Sequence, residues 1–269
     1  MDIARYGEPV SGAAAAFFDL DKTILARSSA LAFARPFYKG GLIGRSDVVR
    51  SAYAQFIFLA SGADHSQMES MRTYMSELVD GWDVAKVREI VAETIDEIID
   101  PVIYEEAVAL IDQHHAEGRD VIVISSSGTE VVEPIGDRLG VDIAIGTQMA
   151  IEDGRYTGEI LFYAYGEGKA EAMRELAAER GYNLGASYAY SDSITDLPML
   201  EIVGHPTAVN PDDELRAIAD EREWPILDFE RPVSMRTRVN TGQKVAAGAG
   251  VAIGAAALGL AWYARRRRA

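Results

Sequence analysis

The 269-residue chain has no cysteine, which excludes disulfides, thiolate metal sites and a cysteine nucleophile. It has four histidines, His65, His114, His115 and His205, and none stands in an HExxH or other metal-binding spacing. His114 and His115 fall at the polar end of a helical pattern and read as surface residues. Basic residues are also few. Lys and Arg total 26 against 42 Asp and Glu, a formal charge of -16. That balance excludes nucleic acid as the main partner, because phosphate backbones are bound by basic surfaces. No signal peptide is expected at the start either: acids come early in "MDIARYGEPV", and the apolar run 13–18 is short and leads into Asp19. What remains, 48% apolar and 25% charged, is the composition of a globular protein with a real core. The length suits one large domain or a domain with an inserted lobe.

The far end of the chain is different. Residues 245–264, "VAAGAGVAIGAAALGLAWYA", carry no charge and are long enough to cross a bilayer as a helix. Trp262 and Tyr263 stand where an interfacial aromatic belt would, and arginines fill 265–268. The expectation is a C-terminal transmembrane helix reached through a linker at 231–244 and closed by a basic tail at 265–269. Arg231, Arg236, Arg238 and Lys244 precede the run, so basic residues flank both sides and do not orient it. Without an N-terminal signal, the main domain is expected in the cytoplasm, tethered by its tail.

The pattern along the chain predicts a first strand at 13–18. Four helical segments follow: "ALAFARPFY", "DVVRSAYAQFIFLA", "SQMESMRTYMSELV" and "DVAKVREIVAETIDEII". After a helix in "YEEAVALIDQHHAEG", strands are expected at 121–124, 141–145, 187–190, 207–209 and 226–227. Helices are expected at 129–139 and 167–180, with another starting after Asp196 as N-cap. Asp153–Gly154 marks a hairpin turn in "MAIEDGRYTGEI". This alternation predicts an α/β fold: a Rossmann-like, doubly wound parallel sheet interrupted by an inserted α-helical cap. The division expected is a discontinuous core, 1–27 and 112–230, with the cap at 28–111.

In open parallel sheets, ligands bind beyond the carboxyl ends of the strands. Four such ends carry polar residues suited to one reaction. Asp19 and Asp21 close the first strand in "FFDLDKTIL". Ser125, Ser126 and Ser127 close the second in "VIVISSSG". Lys169 opens a helix in "YGEGKAEAM", and Asp192 and Asp196 follow a later strand in "YAYSDSITDLPML".

"DLDKT" resembles the DxDx[TV] first motif of the haloacid dehalogenase superfamily. "VIVIS", Lys169 and the pair Asp192/Asp196 resemble its second to fourth motifs, in order. A helical insertion between the first two motifs is similar to the C1-capped subclass IB, which includes the phosphoserine phosphatases. The resemblance implies a Mg²⁺-dependent phosphomonoester hydrolase working through an aspartyl-phosphate. Asp19 is then the nucleophile and Asp21 the general acid and base, while Lys169 stabilises charge and Asp196 orients. Ser125 and Ser126 join Lys169 in binding phosphate. Asp19, Asp192 and the Asp21 main-chain carbonyl would hold the metal. A phosphate dianion is repelled by clustered carboxylates, and a hard divalent cation reverses that repulsion.

Three departures bear on substrate. The phosphoserine phosphatases have a cap glutamate where "ILARSSA" places Ser28, glycine in the second motif where this chain reads "SSS", and a glycine-rich fourth motif where it reads "SDSITD". The expected partner is a phosphorylated small molecule. The alternatives are a phospholipid substrate such as phosphatidylglycerol phosphate, met at the membrane, and a membrane-tethered interaction protein without catalysis.

Overall fold

Alternate residues of β1 (Ala15–Phe18) serve two separate cores, so the strand is apolar at every position. Ala16 and Phe18 pack with one cluster and Ala15 and Phe17 with another, on opposite faces of the sheet. The computed structural model describes residues 12–44, 72–73 and 76–232. The helices expected at 47–60 and through most of 66–79 lie outside them, as does the apolar run 245–264. Among the described residues, no helix is long and apolar enough to cross a membrane.

The remaining strands are β2 (Asp120–Gly128), β3 (Ile143–Glu152), β4 (Arg155–Phe162), β5 (Tyr188–Ser191), β6 (His205–Val209) and β7 (Ile226–Leu227). They form one sheet in the order β4-β3-β2-β1-β5-β6-β7. Every pairing is parallel except β3 with β4. That exception is the expected hairpin. Asp153 and Gly154 both have positive φ, 49° and 77°, as a tight two-residue turn requires between Glu152 and Arg155.

On the first face α1 (Ser29–Lys39) and α2 (Val84–Ile98) pack on each other. Helices α3 (Glu105–Ala116) and α4 (Thr129–Leu139) lie against the sheet in the same apolar cluster, and α2 packs on α4. The other is covered by α5 (Glu167–Arg180), α6 (Leu197–Glu201) and α7 (Asp213–Glu221). In α2, Val84, Val87, Ile90, Val91 and Ile95 form a buried stripe at helical spacing. Its N-terminus is capped by Asp83, which accepts from the Lys86 N–H at 3.0 Å. Just beyond its far end, Arg138 of α4 donates to buried Asp100 in a forked pair, with Nε at 2.9 Å.

Two elements differ from the sequence reading. β2 continues past 124 through the three serines, with a register shift against β3 between Ile124 and Gly128. The chain is extended there although its side chains are polar, because the strand end faces a site and not the core. Helix α7 is absent from the sequence reading because at nine residues its one apolar face, Leu215, Ile218 and Ala219, spans little more than a turn.

The surface placement of His114 is overturned. It is 2% exposed, and its ring packs against Phe18, Tyr188 and Tyr190. Arg119 Nε donates to His114 Nδ1 at 2.7 Å, so Nδ1 has no proton and Nε2 carries the hydrogen 2.8 Å from the Tyr190 hydroxyl. Two residues at the polar end of α3 look alike in sequence, but the next turn directs Arg119 back over His114. Burial, with the Arg119 guanidinium and His115 also acting against charge and Glu117 acting for it, pushes the imidazole from 6.5 down to about 4.

The unfolded chain therefore binds a proton below pH 6.5 that the folded chain refuses until about pH 4. Stability from this group is complete above the upper value and drains away as pH falls between the two. Urea unfolding at pH 7.5 and 4.5 should show wild type losing about 2–3 kcal/mol more than His114→Gln over that interval. Equal losses would mean that His114 is not held neutral.

Candidate active site

The chain leaves β1 toward β2 on one side and returns, after β4, to β5 on the other. The sheet order therefore reverses at β1, and a crevice opens beyond the carboxyl ends of β1 and β5. Asp19 is the first residue past β1, and its N–H is held by the Tyr190 carbonyl at 2.9 Å. Phe18 lies in register with Val123 and with Tyr190, so Ser125 and Asp192 flank the first strand at one common level, a step beyond Asp19.

Lys169 reaches this crevice from the first turn of α5. Its ammonium is buried, 2.6 Å from Asp19 Oδ1 and 2.7 Å from Asp196 Oδ2. The Ser191 hydroxyl donates to the same Asp196 oxygen at 2.6 Å. Asp196 occupies the N-cap position of α6, as the sequence suggests, but its side chain makes no capping bond. The carboxylate is turned inward to the lysine, a stronger, charge-assisted partner.

Two glycines make this placement possible. Gly166, before α5, adopts φ 54° and ψ -123°, a conformation that side chains disfavour. At Gly168 a Cβ would stand 2.1 Å from the Tyr163 carbonyl oxygen. The "YGEGK" spacing thus lets the β4–α5 loop fold against the helix that carries Lys169.

Asp21 is partly buried and lies in a tight loop in which Ile24 and Leu25 both donate to the Leu20 carbonyl. Lys22 takes a left-handed φ of 63° there. Asp21 Oδ1 accepts the Ser29 N–H at 2.8 Å. Asp192 is buried, and the Lys22 ammonium lies 3.6 Å from its carboxylate. Ser125 is buried and its oxygen accepts the Ser127 N–H at 3.2 Å, while Ser126 is half-buried and its carbonyl accepts the Thr147 hydroxyl at 2.8 Å.

Burial pushes Asp19 well above the ordinary carboxylate range; Lys169 opposes this, while Asp196, Asp192 and Asp21 add to it. Burial likewise raises Asp21, against the hydrogen bonds from Ser29 and Ser28. Asp192 is raised by burial to about 7, with Lys22 pulling the other way. Burial works against the Lys169 ammonium, but Asp19 and Asp196 hold it above the usual lysine range. Four carboxylates thus share one buried ammonium and one exposed lysine, so the crevice is short of positive charge.

Among the described residues, no three His, Cys, Asp or Glu side chains converge as a ready metal cluster. The donors present are hard oxygens, however: two buried carboxylates, Asp19 and Asp192, and the main chain beside them. Magnesium binds through one or two carboxylates and keeps several waters, so this donor set and its unbalanced charge fit that ion. Ser191 and Ser29 are absent from the sequence reading, and Ser127 stands in it at the strand end without a role. Serine is too common for its type alone to mark a role.

The sequence of residues 16–201 matches the family model of haloacid dehalogenase-like hydrolases, and the chain belongs to that family. It is 59% identical to the "Inhibition of morphological differentiation protein" of Streptomyces azureus, over 95% of this chain and 94% of that one. It is 57% identical to a probable phosphatase of Mycobacterium tuberculosis, over 94% and 89% of the two chains. A phosphoserine phosphatase from that organism is 36% identical over 97% of this chain and 83% of its own. Among solved structures, a Bordetella pertussis protein of unknown function is similar, with TM-score 0.71 and 29% identity, over 81% of this chain and 99% of that one.

A methyl group at Gly168 forces the Tyr163 carbonyl away. Gly168→Ala is expected to lose about 1–3 kcal/mol, a fall of several degrees in Tm by calorimetry. An unchanged Tm would show that the loop yields freely.

Proposed function

We propose that this hydrolase is a phosphatase of small phosphomonoesters that uses Mg²⁺ and forms an aspartyl-phosphate on Asp19. The observation that carries the reading is the buried Asp19–Lys169–Asp196 chain at a strand-end crevice with excess negative charge. The relatives named as phosphatases support it.

Asp19 is the group that attacks phosphorus, forming an Asp19 O–P bond as the ester P–O bond breaks. Lys169 engages one Asp19 oxygen and balances charge as the phosphoryl group arrives. Asp196, fixed by Ser191, keeps the Lys169 ammonium aimed at Asp19. Ser125 and Ser126, with backbone N–H groups of the irregular end of β2, bind the phosphoryl oxygens. Asp21 gives its proton to the leaving oxygen and later takes one from the water that hydrolyses the intermediate. Asp19 and Asp192, with the Asp21 carbonyl, would hold the cation, whose charge lets a phosphate dianion enter an acidic crevice.

We read residues 28–111 as the cap and 1–27 with 112–230 as the core; α3 straddles the second boundary and packs on the sheet. The phospholipid alternative and membrane tethering rest on the sequence at 245–264. The reading as a non-catalytic tether gives way to the family membership and the contiguous charge chain.

With Mg²⁺, p-nitrophenyl phosphate turnover is expected and should fall at least about 10³-fold in Asp19→Asn. Chelation by EDTA should abolish it, and added Mg²⁺ restore it. Unchanged turnover in Asp19→Asn would remove the assigned nucleophile. A panel of small phosphate monoesters and phosphatidylglycerol phosphate, assayed with and without residues 231–269, decides between substrate classes. Preference for the lipid, lost on truncation, would overturn the small-molecule reading.

A further inference from the structure

Two buried hydroxyls have no part in the chemistry described so far. Ser29 opens α1 with no exposure, and Ser127 lies in the irregular end of β2, 9% exposed. Their Oγ atoms are 2.7 Å apart, joining segments 98 positions apart in the chain. The contact bridges the helix that leads into the proposed cap and the strand end proposed to bind phosphate.

Ser29 also faces Asp21. Its N–H donates to Asp21 Oδ1 at 2.8 Å. Ser28 stands at the N-cap position of α1 but makes no side-chain capping bond. The carboxylate of Asp21 takes over that task, accepting the first N–H of the helix. This has a chemical consequence. In a neutral carboxyl group, one oxygen carries the proton and the other accepts hydrogen bonds. The oxygen occupied by the Ser29 N–H is the acceptor, so the transferable proton belongs on Oδ2.

We propose that Ser29, anchored by its hydroxyl to Ser127, is a positioning residue that fixes Asp21 Oδ1 and so leaves the Oδ2 proton for the departing alcohol. The inference rests on the phosphatase reading above. As the ester P–O bond breaks and the Asp19 O–P bond forms, the leaving alkoxide oxygen takes the Asp21 proton. It departs as a neutral alcohol, and Asp21 is left as a carboxylate. The third serine of "SSS" thereby gains a role: a glycine at 127 would offer Ser29 no hydroxyl.

The test exploits the leaving group. An alkoxide is too basic to leave without a proton, whereas p-nitrophenolate needs little help. The quantity to measure is kcat/KM, which reports steps up to ester cleavage, for an alkyl phosphate and for p-nitrophenyl phosphate. Ser29→Ala should lower it about 10- to 100-fold for the alkyl ester and by no more than about threefold for the nitrophenyl ester. Ser29→Thr keeps the hydroxyl and should restore most of the alkyl activity. Ser127→Ala should reproduce the selective loss, and it serves as the test if Ser29→Ala does not fold. Equal losses on both esters, or no loss on either, would overturn the proposal, since a purely structural role has no leaving-group preference. Failure of the underlying reading is told apart by Asp19→Asn. If that variant stays active, the aspartyl-phosphate route falls. If it is inactive while the serine variants show no selectivity, only the positioning role is lost.

Discussion

The site depends on one buried ammonium held between two carboxylates. Lys169 lies within 2.7 Å of both Asp19 and Asp196, and all three are nearly inaccessible to solvent. Taking such charges out of water costs several kcal/mol for each ion, and their mutual attraction offsets that only when the geometry is good. The surrounding structure supplies that geometry. Gly166 and Gly168 let the loop before α5 close on itself, and Ser191 fixes the Asp196 oxygen that faces the lysine. The Tyr190 carbonyl holds the Asp19 main chain.

The partners come from segments 150 positions apart, and sheet topology is what unites them. Because β1 lies between β2 and β5, its end is a point where strands diverge to both sides and a crevice forms without any special loop. Polar side chains concentrate there because main-chain groups at strand ends are no longer committed to ladder hydrogen bonds. The irregular end of β2 shows the same economy, with extended backbone continuing after regular pairing stops.

The link from chemistry to the rest of the fold runs through α1. This helix starts at the Asp21 carboxylate and presents Phe33 and Phe37 to the core that α2 shares; Phe37 also meets Trp82. Asp21 thus belongs to two structures at once, the crevice and the helix N-terminus. In sequence, Ser28 and the serine-rich second motif depart from the motif pattern that the chain otherwise resembles, so the likeness carries the reaction class further than the substrate.

Most of the α/β order was legible in the sequence because each core strand is a short apolar run and most helices show one apolar face. Residues 84–98 and 129–139 and the turn at Asp153–Gly154 are examples. Helix α7 was not legible because it is only nine residues long, so its apolar positions Leu215, Ile218 and Ala219 do not repeat over further turns. The site's acids and lysine were legible as a family pattern, in which residue type and order carry the information. Asp196 does occupy the N-cap position read from the sequence, but its side chain caps nothing and turns to Lys169. His114, read as a surface residue, is buried. In both cases partners from distant segments compete for the side chain. The sequence by itself determined the elements, the chemistry available and its order along the chain, because those follow from local periodicity and residue type. Only the tertiary structure decided which charges are buried together and which serine meets which acid, because hydrogen bonding and desolvation depend on neighbours in space.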